Sequence, residues 1–372
     1  MALTAAYDNN EAQVCMTLAA IAYSGENVPT SIQQAITTNL ANTAFATGGN
    51  WKLVWLGLTS NNENFAYVAQ NTTQPAQYAI AIRGTDWCFP TNLQEDFSIF
   101  TQSAPGFGPS GALAADGAIN GLTDITTVSS APIAGGNAVT LGQYLQNQYN
   151  AGGFTTFDVF VTGHSLGGCL ASITFPWLVN EAANWNGGGK SLNAKAYTFA
   201  APSAGNADFA SYVTGLSKSG PYYYWSVVNP RDLAPQAWSN LINVIPQGIV
   251  VRVGLKLGLE LILLISAVIT ELQQKNVTYV QPGSANQHVL TNDLDFSSTC
   301  GTAPVTTFGN YFCWVGKEHG GDTYLTLLGA TPTNITNAND CPAPTPPTVT
   351  AAAEADPVVQ QQLAQLKQNL GE

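Results

Sequence analysis

The stretch FDVFVTGHSLGG, residues 157–168, decides how this chain folds. Its first half is typical of a buried strand, and an apolar stretch suited to a helix follows its second half. Gly163 and Gly167 flank Ser165 and leave room for a tight turn between the strand and the helix. Such a turn directs the serine oxygen outwards and sets the N–H of Leu166 at a helix N-terminus, where it can stabilise an oxyanion. The pattern predicts Ser165 as a nucleophile, and its alternative is an ordinary strand-to-helix turn.

Strand-like and helix-like segments alternate on both sides of this turn. That alternation predicts an α/β fold with a mainly parallel central sheet and helices on both of its faces. Strands are predicted at 51–58, 65–69, 78–83, 157–162, 194–199 and 222–228, helices at 12–23, 138–149 and 358–370, and an irregular stretch at 86–121.

The 372 residues are interpreted as one catalytic domain, 1–341, and a tail, 342–372, because composition does not shift before about residue 330. The tail begins Pro/Thr-rich, which is typical of a linker, and ends in a short amphipathic helix. That helix either docks on the domain, mediates assembly or frays.

Residues 249–270 form the most apolar stretch of the chain. Arg252, Lys256 and Glu260 lie four apart and so share one stripe of a helix. The stripe indicates a helix with one wet face, over the active site or at an interface, and a buried core helix is an equal alternative. Three charges count against a membrane span.

Composition excludes several partner classes. Only 9% of residues are charged, the net charge is −12, and 11 residues are Lys or Arg. This argues against nucleic acid and against electrostatic binding to anionic membranes. Association with an apolar lipid–water interface stays open, because it depends on apolar area. The scarcity of charge and the abundant Thr and Asn favour a secreted protein, although MALTAAYDNNEAQ at the N-terminus does not resemble a signal peptide.

The six cysteines form no CxxC pair, which argues against a zinc or thioredoxin-like site. Cys169 falls in the apolar helix and is expected to be a buried free thiol. Cys300, Cys313 and Cys341 cluster late in the chain, and a disulfide is expected among them.

A catalytic serine needs a histidine as base. His164 adjoins Ser165, but neighbouring side chains on this turn point elsewhere, so we expect it to be a packing residue. His288 and His319 both follow the serine in the chain order expected for this chemistry. We favour His319, in KEHGGDTY, because the flexible loop predicted there suits a mobile imidazole; His288 would then be a polar loop residue.

The base needs an orienting acid. Asp232 follows the predicted strand 222–228 in NPRDLAP, so it faces the same crevice as Ser165, unless it only stabilises a turn beside proline. Asp293 and Asp295 are weaker rivals.

A second oxyanion donor should come from the turn after an earlier strand. Gly84 permits a close backbone approach, and the N–H and hydroxyl of Thr85 can donate. The alternative is a simple strand-ending turn.

Several segments together resemble one known family. They are YAIAIRGT, DFSIF, VFVTGHSLGG, YTFAAPSAGNADFASYV, VVNPRDLAP and a late histidine followed by Tyr324, within 78–329. In this order they are similar to the class 3 lipases of filamentous-fungal type. Ala200 and Ser203 stand where many members have Gly and Arg, which looks more like the bacterial branch.

The resemblance implies an α/β-hydrolase fold with a Ser165, Asp232 and His319 triad and with Thr85 and Leu166 as oxyanion residues. It also implies a lid at about 86–96, where the apolar anchors for substrate are Trp87, Phe89 and Leu93. The insert at about 239–288 is longer than in compact fungal members, and it is expected to form a helical cap.

These observations together predict hydrolysis of lipid carboxylic esters through an acyl-enzyme, as in a triacylglycerol lipase or carboxylesterase, with no metal or cofactor. Phospholipase A1, galactolipase, feruloyl esterase and polyester hydrolase share the same triad. A catalytically silent lipid-binding module is the alternative from outside the enzymes.

Overall fold

The computed structural model describes residues 3–24, 29–58, 64–84, 98–130, 132–185, 189–218, 220–282, 286–335, 350 and 354–371. The expected lid at 86–96, with Trp87, Phe89 and Leu93, lies outside the described residues, as does Thr85.

A seven-stranded sheet forms the centre of the fold, in the order β1-β2-β3-β6-β7-β8-β9. The three strands at one edge pair antiparallel, and all pairs from β3 onwards are parallel, so the predicted mainly parallel sheet is confirmed. The strands are β1 (Trp51–Leu58), β2 (Phe65–Asn71), β3 (Gln77–Ile82), β6 (Thr156–His164), β7 (Ser191–Phe199), β8 (Tyr222–Val228) and β9 (Gln287–Val289), and a separate ribbon holds β4 (Gln102–Ser103) and β5 (Ala114–Ala115).

Helices cover both faces of the sheet, because the central strands are apolar on both sides. In β6, Phe157, Val159 and Val161 belong to one buried cluster and Phe160 belongs to the other. Such two-sided burial is typical of parallel sheets. The helices are α1 (Asn9–Ile21), α2 (Pro29–Leu40), α3 (Asp116–Thr127), α4 (Leu141–Ala151), α5 (Leu166–Ala182), α6 (Ala207–Leu216), α7 (Leu241–Val244), α8 (Leu255–Gln274), α9 (Ser297–Cys300), α10 (Phe308–His319), α11 (Gly321–Leu327) and α12 (Pro357–Leu370), with a 3₁₀ turn at Ala234–Gln236.

The apolar stretch in the insert forms α8 only from Leu255 onwards, so Arg252 lies before the helix, contrary to the sequence prediction. The C-terminal helix α12 packs on α8. Leu366 of α12 is buried and lies against Gly258, which leaves space because it has no side chain. On α8, Lys256 is exposed and Glu260 is half-buried, so the side of the helix that carries these two residues is more exposed to solvent than its apolar side. No helix among the described residues is both long and apolar enough to cross a bilayer.

Two sequence predictions of irregular chain are wrong. Helix α3 begins inside the stretch expected to be irregular, 86–121, and His319 ends helix α10 instead of lying in a flexible loop. The apolar residues Tyr311 and Trp314 precede Glu318 at helical spacing and are buried with it, so α10 forms through packing despite its glycines.

A disulfide joins Cys300 to Cys313, and Cys169 is a buried free thiol. Cys341 lies outside the described residues. The bridge ties α10, the helix that ends in His319, to the short helix α9.

Removal of this bridge by Cys300→Ser with Cys313→Ser should lower the free energy of unfolding by about 3 kcal/mol, because the unfolded chain regains the entropy of a short closed loop. Chemical denaturation of the variant and of the wild type under oxidising conditions measures the loss. Equal stabilities would contradict it, and wild type treated with reductant should behave like the variant.

Candidate active site

Ser165 occupies a strained turn between β6 and α5. Its φ of 62° and ψ of −128° lie where few residues other than glycine are found. The turn is held by hydrogen bonds: the Ser165 N–H donates to the Phe199 carbonyl at 3.0 Å, and the Ser165 carbonyl accepts from Gly168 at 2.9 Å. The side-chain hydroxyl is buried, with no hydrogen-bond partner among the described residues.

The end of β3 lies directly against this turn. A Cβ atom added to Gly84 would come within 2.6 Å of the His164 carbonyl oxygen and 3.2 Å of the Ser165 Cβ, and one added to Gly167 would overlap the Ile82 carbonyl oxygen. Only glycine fits at either position. The chain therefore passes beside the Ser165 turn at Gly84, the residue that precedes Thr85.

Leu166 is the first residue of α5. The first N–H groups of a helix have no acceptor within it, and the helix dipole favours negative charge at that end. This position suits the role in oxyanion binding that the sequence predicts for Leu166.

Asp232 and His319 form a buried pair. Nδ1 of His319 lies 3.0 Å from each carboxylate oxygen of Asp232, which has no solvent exposure. The Tyr324 hydroxyl donates to Oδ2 at 2.8 Å, and the Ala234 N–H donates to Oδ1 at 2.9 Å. With Nδ1–H donating to Asp232, the Nε2 atom of His319 is left as the basic nitrogen.

His164 does more than pack, contrary to the sequence prediction. Its Nε2 lies 2.8 Å from the His319 carbonyl oxygen, an acceptor, so Nε2 carries the proton and donates. Burial, and then the proximity of His319, hold the pKa of His164 well below its usual range. The residue next to Ser165 is therefore neutral and fastens the backbone of His319.

The rival candidates lie elsewhere. His288 stacks on Tyr7 with ring centroids 3.7 Å apart, and desolvation lowers its pKa. Asp293 pairs with Arg231 at 3.0 Å. Asp295 is exposed, and its carboxylate accepts from the Ser297 N–H at 2.8 Å. Of these histidines and acids, the structure brings together His319 and Asp232.

Sequence reasoning missed a second set of contacts beside this pair. Asn229 donates from Nδ2 to the Oε2 of Glu318 and to the Glu318 carbonyl, each at 2.9 Å, and Arg231 lies 3.5 Å from Oε1. The Asn229 N–H donates to the Tyr324 hydroxyl at 3.0 Å. The sequence carried one signal for these contacts: a charged residue directly precedes each candidate, Arg231 before Asp232 and Glu318 before His319.

The described residues include no group of three or more His, Cys, Asp or Glu side chains arranged to hold a metal ion. The groups that the site does offer are a hydroxyl on a strained turn, an imidazole bound to a buried carboxylate, and a helix N-terminus. Together they can activate a nucleophile and bind a developing negative charge.

Part of this chain is similar in sequence to known lipases. The model of the lipase (class 3) family matches residues 79–241. This part of the chain is similar to the class 3 lipases. A lipase of Caenorhabditis elegans is 34% identical over 93 residues, which are 25% of this chain and 24% of that protein. The chain thus aligns with only about a quarter of that relative.

A solved lipase structure has a fold similar to that of nearly the whole chain. The crystal structure of M37 lipase matches 98% of this chain and 100% of its own, with a TM-score of 0.65 and 19% identity. A lipase from Rhizopus microsporus var. chinensis matches 63% of this chain and 71% of its own, with a TM-score of 0.46 and 20% identity. The similarity to M37 lipase shows a shared α/β-hydrolase fold.

The Tyr324 hydroxyl is expected to stabilise the site. Tyr324→Phe should lower the free energy of unfolding by about 1–3 kcal/mol, because it leaves the buried Asn229 N–H without its acceptor and Asp232 with one donor fewer. Tyr311→Phe is a matched control, since that buried hydroxyl has no partner among the described residues. Denaturant unfolding compares the two, and an equal loss in both would contradict the prediction.

Proposed function

We propose that the chain is a serine hydrolase that cleaves carboxylic ester bonds of lipids through Ser165, His319 and Asp232. The observation that carries the proposal is the buried Asp232–His319 pair, whose histidine backbone is fastened by the residue next to Ser165. The match of residues 79–241 to class 3 lipases supports the same chemistry.

In the first half of the reaction, Oγ of Ser165 attacks the ester carbonyl carbon while Nε2 of His319 takes the hydroxyl proton. Asp232 accepts a hydrogen bond from Nδ1–H and stabilises the imidazolium. The carbonyl oxygen becomes an oxyanion, to which the N–H groups of Leu166 and Thr85 donate. The C–O bond then breaks, the alcohol leaves with the proton from His319, and an acyl ester remains on Ser165.

In the second half, Nε2 of His319 takes a proton from water while the water oxygen, as hydroxide, attacks the acyl carbon. The bond to Ser165 breaks, Oγ recovers the proton from Nε2, and the carboxylic acid leaves. Each half reaction returns His319 to its neutral form.

A lipid is the proposed substrate class, with a triacylglycerol as its representative. The scarcity of charge, 9% of residues, supports an apolar partner and contact with a lipid–water interface. Esters with other acyl chains and head groups enter the test as outcomes.

Ser165→Ala and His319→Asn should each lower the rate of ester cleavage by roughly 10⁴-fold or more, because each removes a group that acts on the reacting atoms. The assays use an emulsified long-chain triglyceride and a soluble short-chain ester. His288→Asn is the matched control and should keep the wild-type rate, since its ring stacks on Tyr7.

A lipase is supported if wild type and the His288→Asn control cleave the emulsion and the Ser165→Ala and His319→Asn variants do not. Cleavage of only the soluble ester indicates an esterase with a narrow or closed pocket, and the rivals with other head groups are then assayed. Wild type that cleaves neither ester would overturn the proposal in favour of a lipid-binding module.

A further inference from the structure

Two consecutive residues of the turn after β8 contact two consecutive residues at the end of α10. Arg231 pairs with Glu318 at 3.5 Å, and Asp232 pairs with His319 at 3.0 Å. Arg231 also lies over the ring of Trp314, on the same helix, with its guanidinium carbon 5.8 Å from the ring centroid. The proposed catalytic pair therefore has a second charged pair directly beside it.

Glu318 is held from two directions. Its side chain is buried, and Oε2 accepts a hydrogen bond from Nδ2 of Asn229. The same amide group donates to the Glu318 backbone carbonyl, and the Oδ1 atom of Asn229 accepts from the Arg231 N–H at 3.1 Å. Side chain and backbone of the residue before His319 are thus bound to one turn.

A carboxylate is an unfavourable choice at this place. Burial penalises its charge, and the C-terminal end of a helix carries partial negative charge. Burial raises the pKa of Glu318 to about 7, despite the opposing effects of Asn229 and Arg231. A glutamine would fill the same volume without this penalty, so packing alone does not explain the residue.

We propose that Glu318 is a positioning residue for His319. Held by Asn229 and Arg231, it fixes the last turn of α10 so that the imidazole stays between Asp232 and Ser165. This inference rests on the proposed function for the role of His319. It adds Glu318 and Arg231 to the groups on which the reaction rate depends, although neither touches the substrate.

The groups that face Glu318 come from three elements. They are Asn229, Arg231 and Asp232 on the turn after β8, Asp293 on the loop after β9, and Tyr324 on α11. Above about pH 7 the Glu318 carboxylate is ionised and pairs with Arg231; below it the protonated acid loses that ion pair. Positioning of His319 therefore improves as the pH rises through this range.

Stability should change in the opposite direction. The pKa of folded Glu318, about 7, lies above the ordinary value of 4.5, so the folded state binds more protons between these two pH values. The contribution of Glu318 to the free energy of unfolding therefore falls as the pH rises from 4.5 to about 7. Glu318→Gln should remove this dependence, which separates the residue from other titrating groups.

The test compares Glu318→Gln and Arg231→Met with the control Asp293→Asn, which removes the other partner of Arg231. Asp293 is 64% exposed, and Glu318 is 2% exposed. With a soluble short-chain ester, the first two variants should lower kcat roughly tenfold at alkaline pH with KM unchanged, because a small misplacement of the base slows the chemical step. The control should keep its kcat within about twofold, since exposed ion pairs contribute little.

A second readout needs no turnover. The Nδ1 proton of His319, donated to a buried carboxylate, should give a separate downfield proton NMR signal in the wild type. That signal should broaden or move in Glu318→Gln and persist unchanged in Asp293→Asn.

The outcomes are distinct. Wild-type kcat and an unchanged NMR signal in both variants would overturn the positioning role and leave the proposed function intact. If Glu318→Gln does not fold, Arg231→Met decides, because Arg231 is 37% exposed and an unbranched methionine is tolerated at such a position. If wild type cleaves no ester, the proposed function fails, and the NMR comparison alone tests whether Glu318 orders His319.

Discussion

The hydrogen bond from His319 to the fully buried carboxylate of Asp232 is the contact on which the arrangement of this site depends. A buried charge is tolerated only when its hydrogen-bonding capacity is filled, and here the Tyr324 hydroxyl and the Ala234 N–H supply the remaining donors. Ala234 belongs to the turn that follows β8, Tyr324 to α11 and His319 to α10. Hydrogen bonds to one carboxylate therefore require the turn, α10 and α11 to be fixed relative to one another.

The parallel sheet brings Ser165 to the same edge as Asp232. Ser165 follows β6, Asp232 follows β8, and β7 lies between the two strands. The Ser165 N–H binds the carbonyl of Phe199, the last residue of β7, so the strained turn is tied to the neighbouring strand. Carboxyl ends of parallel strands meet at one edge, which is why side chains distant in sequence converge there.

Residues 79–241 match the class 3 lipase family, whereas Glu318, His319 and Tyr324 lie beyond that match. Between the two regions the chain forms α8, which buries its apolar face and packs against the C-terminal helix. The contacts that hold the end of α10 nonetheless come from the matched region: Asn229 binds Glu318, and His164 binds the His319 carbonyl.

Local pattern alone determined the strands, the turn at Ser165 and the acidic residue after β8, because each depends on neighbours within a few positions. β-branched runs predict strands, and glycines on both sides of a serine predict a tight turn. Tertiary structure decided that His319 ends a helix, that His164 holds its backbone, and that Glu318 is buried beside it. The physical reason is that these facts depend on contacts between residues about 90 to 155 positions apart. Such tertiary contacts outweigh the local preference of a glycine-rich segment for a loop.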